Sequence, residues 1–184
     1  VGYNTTNQDF PAAIYYARRN IGGTAISSTI ENVVVQLGDG VDEFAIDSIY
    51  DYGITTVHGG GGGDTITLGT TVSGLYPANN NEIGFINGEL HLAGGADTDL
   101  IVIDDTGANE GRTGTLTAAG MTFSGMAPTG KIIFDESDNV SVKLGVYEDT
   151  FYVPSSQAGL TTTVDMGAGK DRVYIGTIQG EENT

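Results

Sequence analysis

Apolar residues recur along this chain in one short phrase. An aliphatic residue is followed seven positions later by Asp, with apolar residues two and four places beyond the Asp. The phrase reads Val35…Asp42-x-Phe44-x-Ile46, Val57…Asp64-x-Ile66-x-Leu68 and Leu92…Asp99-x-Ile101-x-Ile103, then Val142…Asp149-x-Phe151-x-Val153 and Val164…Asp171-x-Val173-x-Ile175. Alternation with period two after each Asp predicts a strand with one buried face. The glycine-rich stretch before the Asp predicts a tight corner, because glycine supplies the positive φ that such a corner needs. Each unit is therefore strand, glycine corner, strand.

The units start 22, 35, 50 and 22 residues apart, and they sit inside a longer repeat. Residues 31–68 return at an offset of 107 as residues 138–175, without a gap and with 14 identities in 38 positions. The identities include Leu37/Leu144, Asp42/Asp149, Phe44/Phe151, Gly60/Gly167, Gly62/Gly169 and Asp64/Asp171. The organisation is a single repetitive β domain over 1–184, with a lead-in 1–25, repeat copies 26–68 and 133–175, and a variable middle 69–132. A spacing of 22 suits one coil of an all-β parallel β-helix or β-roll-like solenoid; a β-sandwich of antiparallel hairpins is the alternative. Pro and Asn in Ser73–Asn81 mark a loop. Thr115–Ala118 and Lys131–Phe134 are candidate strands within the widest gap. Helix is expected at most over Pro11–Asn20. Phe44, Ile46, Ile66, Leu68, Ile101, Ile103, Phe151, Val153, Val173 and Ile175 are expected to line one interior. Open coil ends are expected to recruit another chain.

Charge narrows the function classes. Seven Lys and Arg against 24 Asp and Glu leave a net charge of −17. No Lys or Arg lies between Arg19 and Arg112, an interval holding 14 acids. Such a surface repels phosphate, so no nucleic-acid partner is expected. No apolar run approaches the length of a membrane-spanning helix. With no Cys, disulfides and thiolate metal sites are excluded. High Gly, Thr and Asp without Cys fit an exported protein, extracellular or at the cell surface. The start at Val1 and the Gln179–Thr184 ending read as a piece of something longer.

The corners carry the candidate chemistry. Gly59-Gly-Gly-Gly-Gly-Asp64-Thr-Ile-Thr67 matches G-G-x-G-x-D-x-U-x at every fixed position. Leu37–Ala45 and Met166–Tyr174 lack only the first Gly, Gly94–Val102 has Asp97 in place of the third, and Leu144–Tyr152 keeps Gly145, Asp149 and Phe151. On these motifs the chain resembles the hemolysin-type calcium-binding (repeats-in-toxin-like) Gly/Asp repeats of large exported surface proteins. The resemblance covers residues 31–68, 90–105 and 138–175. It implies calcium as a cofactor, held at corners by Asp42, Asp64, Asp99, Asp149 and Asp171 and by the backbone of Gly60 and Gly62. It departs from that family in lacking tandem nonapeptides. Two carboxylates one coil apart repel by roughly 1 kcal/mol in water, which a calcium ion would relieve; alternatively each Asp accepts a hydrogen bond in its own corner.

Catalysis is not expected. His58 and His91, one residue after Val57 and one before Leu92, read as strand histidines on opposite faces. Asp104-Asp105 is a carboxylate pair, but neighbours on a strand point apart. Arg18-Arg19 reads as a salt-bridge donor. Tyr50, Tyr52, Tyr76, Tyr147, Tyr152 and Tyr174 could stack on sugars or simply reflect β-propensity. The residues thus point to an acidic, non-catalytic structural repeat segment of a surface, adhesin or filament protein. Its expected partners are other repeats or copies of itself, and acidic polysaccharide or cell-surface glycan. The alternative is a polysaccharide-binding or polysaccharide-cleaving β-helix module.

Overall fold

The computed structural model describes residues 32–49, 51–69, 81–135 and 139–176. Pro11–Asn20, Arg18-Arg19, Tyr50, Tyr76, residues 73–80 of the expected loop and Gln179–Thr184 lie outside the described residues. The protein is all-β. In chain order the strands are β1 (Asn32–Asp39), β2 (Glu43–Ile46), β3 (Ile54–Gly61), β4 (Thr65–Leu68), β5 (Glu89–Ala96), β6 (Leu100–Asp104) and β7 (Thr113–Thr117). They continue as β8 (Gly120–Phe123), β9 (Lys131–Asp135), β10 (Asn139–Lys143), β11 (Thr150–Val153), β12 (Thr161–Asp165) and β13 (Arg172–Ile175). A 3-10 turn at Ile83–Phe85 is the one helical element among the described residues. No helix there is long and apolar enough to cross a membrane.

The strands form two sheets, a larger one ordered β1-β3-β5-β9-β8-β7-β11-β13 and a smaller one ordered β12-β10-β6-β4-β2. From β1 to β6 the chain alternates between them, strand by strand. The period-two pattern sets which side chains face inward, and parallel pairing places equivalent residues next to one another. In the smaller sheet Phe44, Ile66, Ile101 and Val140 form one rung line, and Ile46, Leu68, Ile103 and Val142 the next. The larger sheet answers with Val35, Val57, Leu92 and Phe134. All twelve belong to one buried core. A fully buried aliphatic side chain is worth about 1.5–3 kcal/mol, so slipping one strand by a residue would turn two such side chains out to water.

Antiparallel pairing, the hallmark of the sandwich alternative, is confined among the described residues to the two ladders of β8, with β7 and with β9. The expected strands at Thr115–Ala118 and Lys131–Phe134 correspond to β7 and β9, while β8 between them was not anticipated. Its sequence, Gly-Met-Thr-Phe, is too short for alternation to announce a strand. This meander keeps β7, β8 and β9 all in the larger sheet, with a consequence for the long repeat. β1 and β3 lie in the larger sheet, but their copies at the 107 offset, β10 and β12, lie in the smaller one. The second copy is therefore offset by one strand from the first in its alternation between the sheets.

Of the expected interior residues, Phe44, Ile46, Ile66, Leu68, Ile101, Ile103 and Phe151 are buried. Val153 is half-buried against the core. Val173 and Ile175 are not interior: they are 46% and 83% exposed. Both lie on β13, the last strand of the larger sheet, which has a described neighbour on one side only.

Candidate functional site: two aspartate corners and an outer groove

Asp42, Asp64 and Asp99 stand where the chain leaves the larger sheet for the smaller one. The Asp42 N–H donates to Asp64 Oδ1 at 2.9 Å, and the Asp64 N–H donates to Asp99 Oδ1 at 2.9 Å. Each carboxylate thus reaches back to the N–H of the preceding corner. The backbone follows the same step, Thr65 donating to the Asp42 carbonyl and Leu100 to the Asp64 carbonyl, both at 2.9 Å. These aspartates tie successive corners together rather than capping their own.

The glycines of the motif follow from this packing. Asp64 Oδ2 occupies the space that a Cβ on Gly59 would need, and Asp99 Oδ2 does the same at Gly94. The motif's first glycine is thus the site into which its aspartate folds. Gly60 and Gly62 both have positive φ, 105° and 111°. A Cβ on either would strike the carbonyl oxygen of Gly38 or Gly40 in the corner below. Two causes, backbone conformation and close approach, therefore require glycine there.

Asp149 and Asp171 do not join that ladder. The one-strand offset of the second copy puts them on the passage from the smaller sheet to the larger, where Asp149 N–H donates to Asp171 Oδ1 at 2.9 Å. The next member of this second ladder is an arginine: the Arg112 N–H donates to Asp149 Oδ1 at 2.6 Å. Arg112 is 4% exposed, and its Nε donates to Asp105 Oδ2 at 2.8 Å, while Asp105 Oδ1 takes the Ile83 N–H at 2.8 Å. Burial pushes the Asp105 carboxyl above its ordinary range, against the opposing pull of the Ile83 N–H and Arg112. Burial likewise raises Asp149, with the Arg112 N–H working against it and the Asp171 charge adding to it.

Calcium takes six to eight oxygen ligands, more than the corner carboxylates supply by themselves. One oxygen of each of Asp64, Asp99, Asp149 and Asp171 holds a backbone N–H. The other oxygen of Asp64 is buried without a hydrogen-bond partner, as is that of Asp149. The Gly38 and Gly40 carbonyl oxygens lie where a Cβ on Gly60 or Gly62 would stand. Among the described residues no three His, Asp or Glu side chains converge into a cluster that could hold a metal ion. The five aspartates expected at one kind of site are divided between two ladders.

Outside the corners, Asp104 and Asp105 do point apart: Asp104 accepts from the Thr106 N–H and hydroxyl at the surface, while Asp105 is buried. His58 and His91 share a face. His91 pairs with Thr56 and Ala93 with His58, so both rings lie on the outer side of the larger sheet. Parity alone requires it, since each histidine adjoins an inward residue of the same rung line. Tyr152 and Tyr174 stack on that sheet with centroids 5.1 Å apart and planes 13° from parallel.

An outer groove of about 390 Å³ is lined by Tyr52, Ile54, Glu89, Thr122, Thr129 and Lys131, among others. Glu89 and Lys131 are register neighbours on β5 and β9, and His91 Nε2 bonds to Glu89 Oε1 at 2.5 Å. Tyr52 is 77% exposed and has φ 66°, unusual for a non-glycine residue. Neither this groove nor the Arg112–Asp105 pair was singled out from the sequence. Both combine residues from distant segments, and only the isolation of Arg112 in a stretch poor in cations hinted at the second. Comparison with protein-family models, with curated proteins and with solved structures found no match to this chain.

Proposed function

We propose that this chain is a non-catalytic structural segment of an extracellular surface, adhesin or filament protein, built as a parallel β-solenoid whose successive coils are latched by aspartate corners. The observation that carries the reading is the continuity of the rung lines through the corners. Side chain, glycine and aspartate all recur at the same level in consecutive coils, which suits transmission of length and stiffness. The latch rests on the hydrogen bonds from corner N–H groups to one oxygen of each carboxylate. The groove at Tyr52 favours a second reading, glycan binding, because an exposed ring beside a carboxylate and an ammonium suits a sugar's apolar face and hydroxyls.

A panel of neutral and acidic polysaccharides separates the two. The structural reading expects no release of reducing ends and no saturable binding. Saturable binding abolished by Tyr52→Ala would transfer the assignment to the second reading, and chain cleavage would sink the non-catalytic claim.

A further inference from the structure

The two ends of the described ladders complement one another. By the 107-residue repeat, β13 corresponds to β4, and β4 is covered by β6, which leaves Ile66 2% and Leu68 0% exposed. On β13 the equivalent residues, Val173 and Ile175, stand open. At the opposite end, Gly38 and Gly40 have positive φ, 111° and 132°, yet a Cβ on either would meet nothing within 4 Å. Their counterparts one coil on, Gly60 and Gly62, each sit on a carbonyl from the corner below. The leading corner is shaped for a preceding corner that the described residues do not supply. Hydrogen bonding shows the same asymmetry. Every aspartate ladder runs from a corner N–H to the next corner's carboxylate. Among the described residues, the Asp171 N–H has no such acceptor and the Asp42 carboxylate no such donor.

We propose that copies of this chain stack head to tail, β13 of one receiving β2 of the next in parallel and β12 receiving β1, with the second copy rotated half a turn. This rests on the stacked-coil reading above and names its partner and register. The rotation matches the one-strand offset the chain already makes between its own repeat copies, where β10 enters the smaller sheet beside β6. Copying the register of β2 on β4 sets Phe44 of the second copy beside Val173 and Ile46 beside Ile175. It brings the Asp42 carboxylate to the Asp171 N–H, and the Gly167 and Gly169 carbonyls under Gly38 and Gly40. It also sets the exposed Glu43 directly opposite the exposed Arg172, an attractive cross-strand pair. Because the two surfaces differ and each added copy advances the stack along the strand-pairing direction, the contact does not close into a ring and propagates as a filament.

Sedimentation velocity over a wide concentration range, with negative-stain microscopy of the full chain, tests this. The wild-type chain is expected to form a ladder of oligomers and thin filaments. Glu43→Arg and Arg172→Glu, each placing like charges in register, should each weaken self-association about tenfold, and the two variants mixed should assemble again. A chain that stays monomeric throughout, single variants that assemble like wild type, or a mixture that fails to recover would each overturn the proposal. An internal pair, Glu43→Cys with Thr65→Cys, reports the coil stacking itself. A disulfide in a monomeric chain leaves the solenoid standing and removes only the assembly, whereas no disulfide removes both.

Discussion

Replacing Arg112 by Met should be the most damaging single change at the second corner. Arg112 and Asp105 are 4% and 0% exposed and meet at 2.8 Å. Removing the guanidinium leaves the Asp105 carboxylate buried with the Ile83 N–H still donating to it. Breaking a buried pair from one side costs about 3–5 kcal/mol. At roughly 2–4 °C per kcal/mol for a chain of this size, the melting temperature should fall by about 6–20 °C at pH 7. The loss should depend on pH with a definite sign. Burial already raises Asp105, and without Arg112 one of the groups holding it down is gone. A carboxyl raised in the folded state contributes stability below its unfolded pKa near 4 and loses it as pH rises through the folded value. The penalty should therefore be smallest near pH 4 and grow toward neutrality. Adding Asp105→Asn, which removes the buried charge and keeps an acceptor for Ile83, should recover much of the loss. Thermal melts followed by circular dichroism at pH 4, 5.5 and 7 decide the matter. A variant melting within 2 °C of wild type at pH 7, or one whose deficit does not change with pH, would refute the reasoning.

The glycine corners offer a paired comparison by urea denaturation: Gly60→Ala meets both positive φ and the Gly38 carbonyl, whereas Gly159→Ala meets positive φ alone. The first should cost clearly more than the second, which should stay near 1 kcal/mol; equal costs would remove the close-approach argument. At the first ladder, Asp64→Ala should destabilise by about 1–3 kcal/mol through the orphaned Asp42 N–H, with Asp64→Asn recovering part of it, and no recovery would show that charge rather than the hydrogen bond matters. Calcium and sodium at matched ionic strength should raise the melting temperature alike by screening the net charge of −17; a calcium-specific rise lost in Asp64→Asn would assign calcium to that corner. Since burial raises Asp149 in the folded state, its contribution should decline as pH rises from about 4 through its folded pKa, and Asp149→Asn should flatten that part of the stability profile.

Strand, corner and inward face were legible in the chain because they are local. A side-chain period of two and a glycine needing positive φ show in any short window, and they located β1–β6 and β10–β13 without tertiary information. The 107-residue repeat was equally visible. What it could not convey was phase: three consecutive strands kept in one sheet by the β7–β9 meander shift the second copy's alternation by one strand, sending Asp149 and Asp171 to a different kind of corner from Asp42 and Asp64. Which N–H each aspartate meets was also decided by strand pairing. One carboxylate next to glycines in sequence is compatible with an ion, a local turn or a reach to another corner, and only the placement of the Asp42 N–H 2.9 Å from Asp64 Oδ1 shows that one oxygen makes that reach. Arg112 shows the limit most plainly. Nothing in its immediate sequence distinguishes it from a solvated arginine, and it became the buried partner of Asp105 because residues from the β4–β5 and β8–β9 connections close over it.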